Sequence, residues 1–265
     1  GEIWASNNLG IHHFDRKNKK IESVDLTILK NSMKPIEAMY IDPNDQVWLA
    51  VNNTLFRIDK VKNKLHKVLE NIFPNGSFII YRIIGSGDNQ LLIGSDKGLA
   101  IYDISENKTS VITELLIEKK STKLPPVGDI YIDEENSWWL GTTRGLYYKD
   151  KADEEKNHFI GHDPQNVNSL LSDVIMDING DRSFIYIATT KGLCIVNKSK
   201  NNFSFENFYN ADGLSNNFIY GIVKDKVGAL WMSTNFGISR FDPVSKTFRT
   251  YHAEDGVFIN EFNSA

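Results

Sequence analysis

The sequence predicts an all-β fold, a β-propeller of six four-stranded blades. Three observations point there: a motif that recurs six times, an internal spacing that never slips, and strand-type patterning throughout each repeat. The motif is an aromatic or large apolar residue, usually Gly six positions later, then an apolar residue, then Asp or Asn four positions beyond that. Its copies are Trp4…Gly10-Ile11…Asp15, Trp48…Thr54-Leu55…Asp59, Leu92…Gly98-Leu99…Asp103, Trp139…Gly145-Leu146…Asp150, Tyr186…Gly192-Leu193…Asn197 and Trp231…Gly237-Ile238…Asp242. Successive anchors lie 44, 44, 47, 47 and 45 residues apart. Four strands per ~45 residues is the signature of a propeller blade.

One copy shows the order of elements. A β-rich run comes first (Phe218 to Val223), then a turn (Lys224 to Gly228), then the anchor strand Leu230-Trp231-Met232-Ser233. A short connection through Gly237 leads to Ile238-Ser239-Arg240-Phe241, and Asp242-Pro243 turns the chain into Lys246 to Tyr251. Period-2 alternation, β-branched and aromatic residues, and Gly, Asp, Pro and Asn punctuation all favour strands. The Gly suits a turn residue with φ > 0 between second and third strands. The Asp after the third strand suits a carboxylate that bonds nearby amides. The Trp offers each blade a large apolar face for its neighbour. Each of these roles is structural. On this pattern blade 1 takes residues 1–34 plus 257–265, blade 2 35–76, blade 3 77–124, blade 4 125–170, blade 5 171–215 and blade 6 216–256. Pairing of the last strand with the first sheet closes the ring; a piece of a seven-bladed propeller is the alternative.

Bulk properties set limits. The chain has 265 residues, 41% apolar and 24% charged, which suits one globular domain of this class. With 30 basic and 34 acidic residues its net charge is −4, and no basic face is legible, so no nucleic-acid partner is expected. The single cysteine, Cys194, sits in an apolar run and reads as a small buried hydrophobe. No stretch approaches the ~20 apolar residues of a membrane span. The opening Gly1-Glu2-Ile3-Trp4 already has strand character and the ending Phe262-Asn263-Ser264-Ala265 stops mid-pattern, so an excised fragment is expected.

The residues also carry a family likeness. Trp138-Trp139-Leu140-Gly141-Thr142-Thr143-Arg144-Gly145-Leu146 and Leu230 to Asp242 resemble the "LWIGTxxGLxxYD" unit of two-component regulator propellers. Phe159 to Ser172 is similar to that family's linker between blades, and Asp255 to Asn263 to its "DGLxxNEFN" ending. The resemblance implies the periplasmic sensor region of a hybrid two-component histidine kinase of the Bacteroides type, responding to carbohydrate breakdown products. It further implies a neighbouring propeller, an immunoglobulin-like domain and a homodimeric receptor as partners. Thr54 in place of Gly and Leu92 in place of Trp depart from the unit and predict altered connections in those two blades.

Fold does not name function, so any chemistry must rest on particular residues. His158 and His162 are four apart in β-like sequence, a spacing that does not present two metal ligands as a helix would. No nucleophile elbow and no phosphate loop occur, Gly85-Ser86-Gly87-Asp88 reads as a hairpin turn, and neither cofactor nor metal is expected. Most acids hold repeated positions: the turn (Asp15, Asp59, Asp103, Asp150, Asp242) or the hairpin (Asp42, Asp133, Asp225). Asp129, Asp173 and Asp177 interrupt the apolar innermost strands and are the acids that a lyase or lactonase alternative would use. The expected binding surface is the loop face, with Asn52, Asp96, Arg144, Lys191, Tyr209, Asn235 and Phe236 as ligand-binding residues. Amides and charges suit a hydroxyl-rich ligand such as an oligosaccharide, and aromatic faces suit its rings. A docking scaffold without a small ligand is the remaining alternative.

Overall fold

The computed structural model describes residues 3–7, 10–29, 36–76, 79–87, 89–198, 203–257 and 262. The fold is a β-propeller, and the chain divides into two compact units, Gly1–Thr113 and Glu114–Ala265. In every sheet each strand pairs antiparallel with the next.

The first unit holds three sheets. Sheet 1 comprises β1 (Ile3–Asn7), β2 (Gly10–Asp15) and β3 (Lys20–Ser23). Sheet 2 comprises β4 (Ala38–Ile41), β5 (Val47–Val51), β6 (Thr54–Asp59) and β7 (Lys64–Glu70). Sheet 3 comprises β8 (Ile80–Ser86), β9 (Gln90–Ser95), β10 (Gly98–Asp103) and β11 (Lys108–Ile112). Its cores lie between neighbouring sheets. Ile11, Val24, Leu49 and Phe56 join sheets 1 and 2, while Trp48, Leu55, Ile83 and Tyr102 join sheets 2 and 3. Burial of such side chains contributes about 1.5–3 kcal/mol each, before ordering entropy is counted.

The second unit opens with a hairpin, β12 (Glu114–Ile117) and β13 (Lys120–Lys123), that the repeat did not announce. Sheet 4 follows with β14 (Val127–Ile132), β15 (Trp138–Thr142), β16 (Gly145–Lys149) and β17 (His158–Ile160). Sheet 5 has β18 (Ile175–Gly180), β19 (Phe184–Thr189), β20 (Gly192–Asn197) and β21 (Phe205–Phe208). Sheet 6 has β22 (Ile219–Lys224), β23 (Leu230–Thr234), β24 (Gly237–Asp242) and β25 (Thr247–Tyr251). Trp139, Leu146, Ile178, Ile187 and Cys194 form the core between sheets 4 and 5, and Tyr186, Leu193, Ile222 and Met232 that between sheets 5 and 6. Cys194 is fully buried, and burial pushes its thiol up to about 12, so it packs as a hydrophobe.

The repeated residues take the structural roles their chemistry suits. Asp59 and Asp242 accept from the backbone N–H groups of Lys62 (3.0 Å) and Val244 (2.9 Å), and their carboxyls are held below the usual range chiefly by such bonds. At the other end of the first hairpin, Asp42, Asp133 and Asp225 each accept from the indole N–H six residues on, in Trp48, Trp139 and Trp231, at 2.9, 3.0 and 2.8 Å. One expectation needs correction. Gly85 and Ser86 belong to β8, and the turn starts at Gly87 (φ 67°); the Tyr40 hydroxyl would lie 2.5 Å from a Cβ at Gly85, so this glycine serves close packing. Sheet 1 shows three strands among the described residues. The expected closing strand, 257–265, falls largely outside them, and Phe262 donates to the Thr234 carbonyl at 3.3 Å.

Candidate functional site

The connections between second and third strands are two-residue tips built on one local device. In sheets 3 to 6 a Ser or Thr ends the second strand and a Gly opens the third. In sheets 4, 5 and 6 the hydroxyls of Thr142, Thr189 and Thr234 donate to the carbonyls of Gly145, Gly192 and Gly237 at 2.7, 2.8 and 3.0 Å. The same oxygens accept from the backbone N–H of Arg144, Lys191 and Phe236 at 3.0, 3.1 and 3.0 Å. Both sides of the tip backbone are thereby held. The glycine is obligatory: Gly237 has φ of 80°, and a Cβ there would meet the Tyr251 carbonyl at 2.3 Å. In sheet 2, where Thr54 replaces the glycine, Asn52 (φ 50°) and Asn53 (φ 60°) take the left-handed conformation instead. The Asn53 amide then clamps Phe73, donating to its carbonyl and accepting from its N–H, both at 2.9 Å. The altered connection expected there is present.

The predicted residues divide by unit. In the first unit Asn52 is exposed at the sheet 2 tip. Asp96, at the sheet 3 tip, accepts from Ile79 N–H at 3.3 Å and pairs with Lys97 at 3.3 Å. In the second unit Arg144 and Lys191 are exposed at equivalent tips. Asn235 accepts from the Tyr220 hydroxyl at 2.7 Å, and Phe236, 52% exposed, lies 4.7 Å from the His252 ring. Tyr209 is exposed on the connection from sheet 5 to sheet 6. Connections between sheets tie onto these tips. Gly145 N–H donates to the Asp173 carbonyl at 2.7 Å, Ser172 bonds Thr190 at 3.0 Å, and Ser215 bonds Thr234 at 2.9 Å.

The connections consume much of the amide chemistry expected to face a ligand. Asn210 donates to the Leu214 carbonyl at 2.8 Å, Asn216 accepts from Phe218 N–H at 2.8 Å, and Asn217 from Asn210 N–H at 2.6 Å. The His162 ring bonds the Leu170 carbonyl at 2.5 Å. What the tips of sheet 6 present is an aromatic and amide cluster: Phe218, Tyr220, Asn235, Phe236 and His252, with Phe218 and Tyr220 rings 4.6 Å apart.

The inner-strand acids have backbone partners, which sequence reasoning missed. Asp129, 3% exposed, accepts from Ile178 N–H at 2.6 Å, and Asp177 from Ile222 N–H at 2.6 Å. Both sit where their strands slip register against the next strand, a bulge that turns the carboxylate toward the following sheet. Asp173 accepts from His162 N–H at 2.6 Å. All three act as fasteners in the geometry observed. Among the described residues no group of three His, Cys, Asp or Glu side chains converges to hold a metal ion.

Comparisons with known proteins agree with this grammar. The family model for the two component regulator propeller matches residues 213–236, from the connection before sheet 6 to its tip at Phe236. Histidine kinase P4 of Formosa agariphila is 39% identical over 71 residues, covering 26% of this chain and 5% of that protein. Among solved structures, the extracellular domain of the putative hybrid two component system BT4673 from B. thetaiotaomicron has a TM-score of 0.54 at 17% identity, covering 94% of this chain and 39% of that one. Virginiamycin B lyase from Staphylococcus aureus has a TM-score of 0.67 at 14% identity, covering 95% and 80%. At such identities these two structures speak to the fold alone. The chain therefore spans a small part of the kinase and about two fifths of the extracellular domain it matches. The family's repeat is thus matched over residues 213–236, and the blade grammar of the other sheets is similar to it.

Proposed function

We propose that this propeller is the extracytoplasmic, non-catalytic sensing part of a hybrid two-component receptor, and that its signal is carbohydrate. The observation that carries the reading is the regulator repeat at 213–236, which ends on the exposed Phe236. The ligand contacts we assign in the second unit are Arg144, Lys191, Tyr209, Asn235 and Phe236. A ring can lie on Phe236 while hydroxyls meet Asn235 and the charged tips. Asn52 and Asp96 are the corresponding tip residues of the first unit.

The inner acids are spoken for by backbone N–H groups, which supports sensing over turnover. In the full receptor, ligand favours one arrangement of this propeller with its neighbouring propeller, an immunoglobulin-like domain and a second receptor copy over another. Calorimetry with mono- and oligosaccharides tests the reading, on this chain and on the full ectodomain. Saturable binding that Phe236→Ala weakens about tenfold is expected. Turnover of a bound saccharide, or no binding to either protein, refutes it.

A further inference from the structure

In the sheets an acid accompanies the anchor residue wherever that residue carries a hydrogen-bond donor. Asp42, Asp133 and Asp225 stand directly after the first strands β4, β14 and β22, and each accepts from the indole N–H six residues on. Sheet 5 is anchored by Tyr186, and its phenol donates to Asp181, five residues earlier, at 2.8 Å. Sheet 3 is anchored by Leu92, which has no donor, and the residue six positions before it is Ser86.

Trp4, the anchor of sheet 1, breaks this rule. Its Nε1 is buried and has no hydrogen-bond partner. Its ring stacks on His13 with centroids 4.6 Å apart, and Lys60 Nζ lies 5.4 Å from its centroid. A buried donor without an acceptor is costly and rare, so it points to a group that belongs beside it.

The strand that carries Trp4 is also bare where its counterparts are covered. β5 is buried along its whole length, and β9, β15 and β19 are buried from their second residue on. In β1, Ile3, Ala5 and Ser6 are exposed, Ile3 by 45%. The second strands of sheets 2 to 6 each pair with two neighbours, whereas among the described residues β1 pairs with β2 alone. Its other edge offers backbone N–H and C=O groups to a further strand.

We propose that this edge takes a strand of the same polypeptide from outside residues 1–265, and that a carboxylate at the end of that strand accepts the Trp4 indole N–H. The edge calls for extended backbone and the buried donor calls for an acid. The first strands of sheets 2, 4 and 6 combine the two, each reaching its anchor strand across a five-residue connection (42–46, 133–137 and 225–229). That economy is the argument for the same polypeptide as the source. The surface depends on no part of the reading above.

Nuclear magnetic resonance with labelled tryptophan tests it, the Trp4 indole signal being assigned from Trp4→Phe. In the full ectodomain the Trp4 indole proton is expected downfield of its position in the chain of 265 residues. A second protein carries a copy of residues 36–44 joined ahead of Gly1, which sets the copied Asp42 six residues before Trp4. It is expected to show the same downfield shift, with amide exchange in β1 about tenfold slower than in the chain without the copy. Asp42→Ala made in the copy alone is expected to abolish the indole shift and return about fivefold of the protection. An indole already shifted in the unextended chain, from its own residues or a second copy of it, overturns the proposal. So does a full ectodomain whose Trp4 signal matches that of the chain, an added strand that leaves β1 exchange unchanged, or an indole shift that survives Asp42→Ala.

Discussion

Single side chains in this chain are tied down by acids that look interchangeable in sequence and differ in environment. Asp133 holds Trp139, which is 2% exposed, whereas Asp225 holds a half-buried Trp231. Losing the first acceptor strands buried donors; losing the second exposes donors to water. Asp133→Ala is therefore expected to cost about 2–3 kcal/mol and Asp225→Ala clearly less, read as urea midpoints at constant slope. Asp181 predicts a pH dependence. Burial opposes its charge, yet bonds from Lys224, Ser183, Tyr186 and Phe184 hold its pKa down to about 2 from 3.8. A depressed carboxyl stabilises the fold fully above about pH 4 and loses that contribution as pH falls through 2, an effect of about 2 kcal/mol at most. Asp181→Asn is expected to flatten the stability profile between these pH values; an unchanged slope counts against the assignment. The repeat made the acids legible as hairpin and turn residues. That each hairpin acid takes up an indole N–H was not legible, because the partner lies six residues on, across the turn.

At the level of the element, the tip device explains why one glycine recurs and why one sheet dispenses with it. Gly192 has φ of 141°, and a Cβ would meet the Phe208 carbonyl at 2.4 Å, so Gly192→Ala is expected to destabilise by about 2 kcal/mol or more in thermal melts. In sheet 2 the same strain falls on Asn52 and Asn53, and Asn53→Ala, which strands both backbone groups of Phe73, is expected to cost a similar amount. Thr54 signalled this change in the sequence. The hairpin Glu114–Lys123 gave no such signal. Its strand character shows only in contacts: Leu115 and Ile117 are buried, and the Leu116 carbonyl accepts from Asn157 at 3.1 Å. The loop-face site was legible as a set of equivalent tips. What the sequence could not tell was which amides the loops spend on themselves, as Asn210, Asn216 and Asn217 do.

For the molecule as a whole, the propeller was readable because spacing alone defines the sheet, while the joints between sheets depend on register slips that spacing does not encode. In a chain built of stacked sheets, stability approximates a sum of sheet and neighbour terms. Asp177→Ala, which deprives the Ile222 N–H of its acceptor, is therefore expected to speed amide exchange locally, at Ile222 and across sheets 5 and 6. Sheets 2 and 3, in the other unit, are expected to keep their protection. Uniform acceleration across the chain would show a single cooperative unit instead.

Sheet 6 places Gly221 at the bulge where sheets 4 and 5 place Asp129 and Asp177. Each of those two earlier sheets carries the acid that fastens its successor, so a gene segment copied from either would arrive with its own coupling. A copy of sheet 6 would arrive without one.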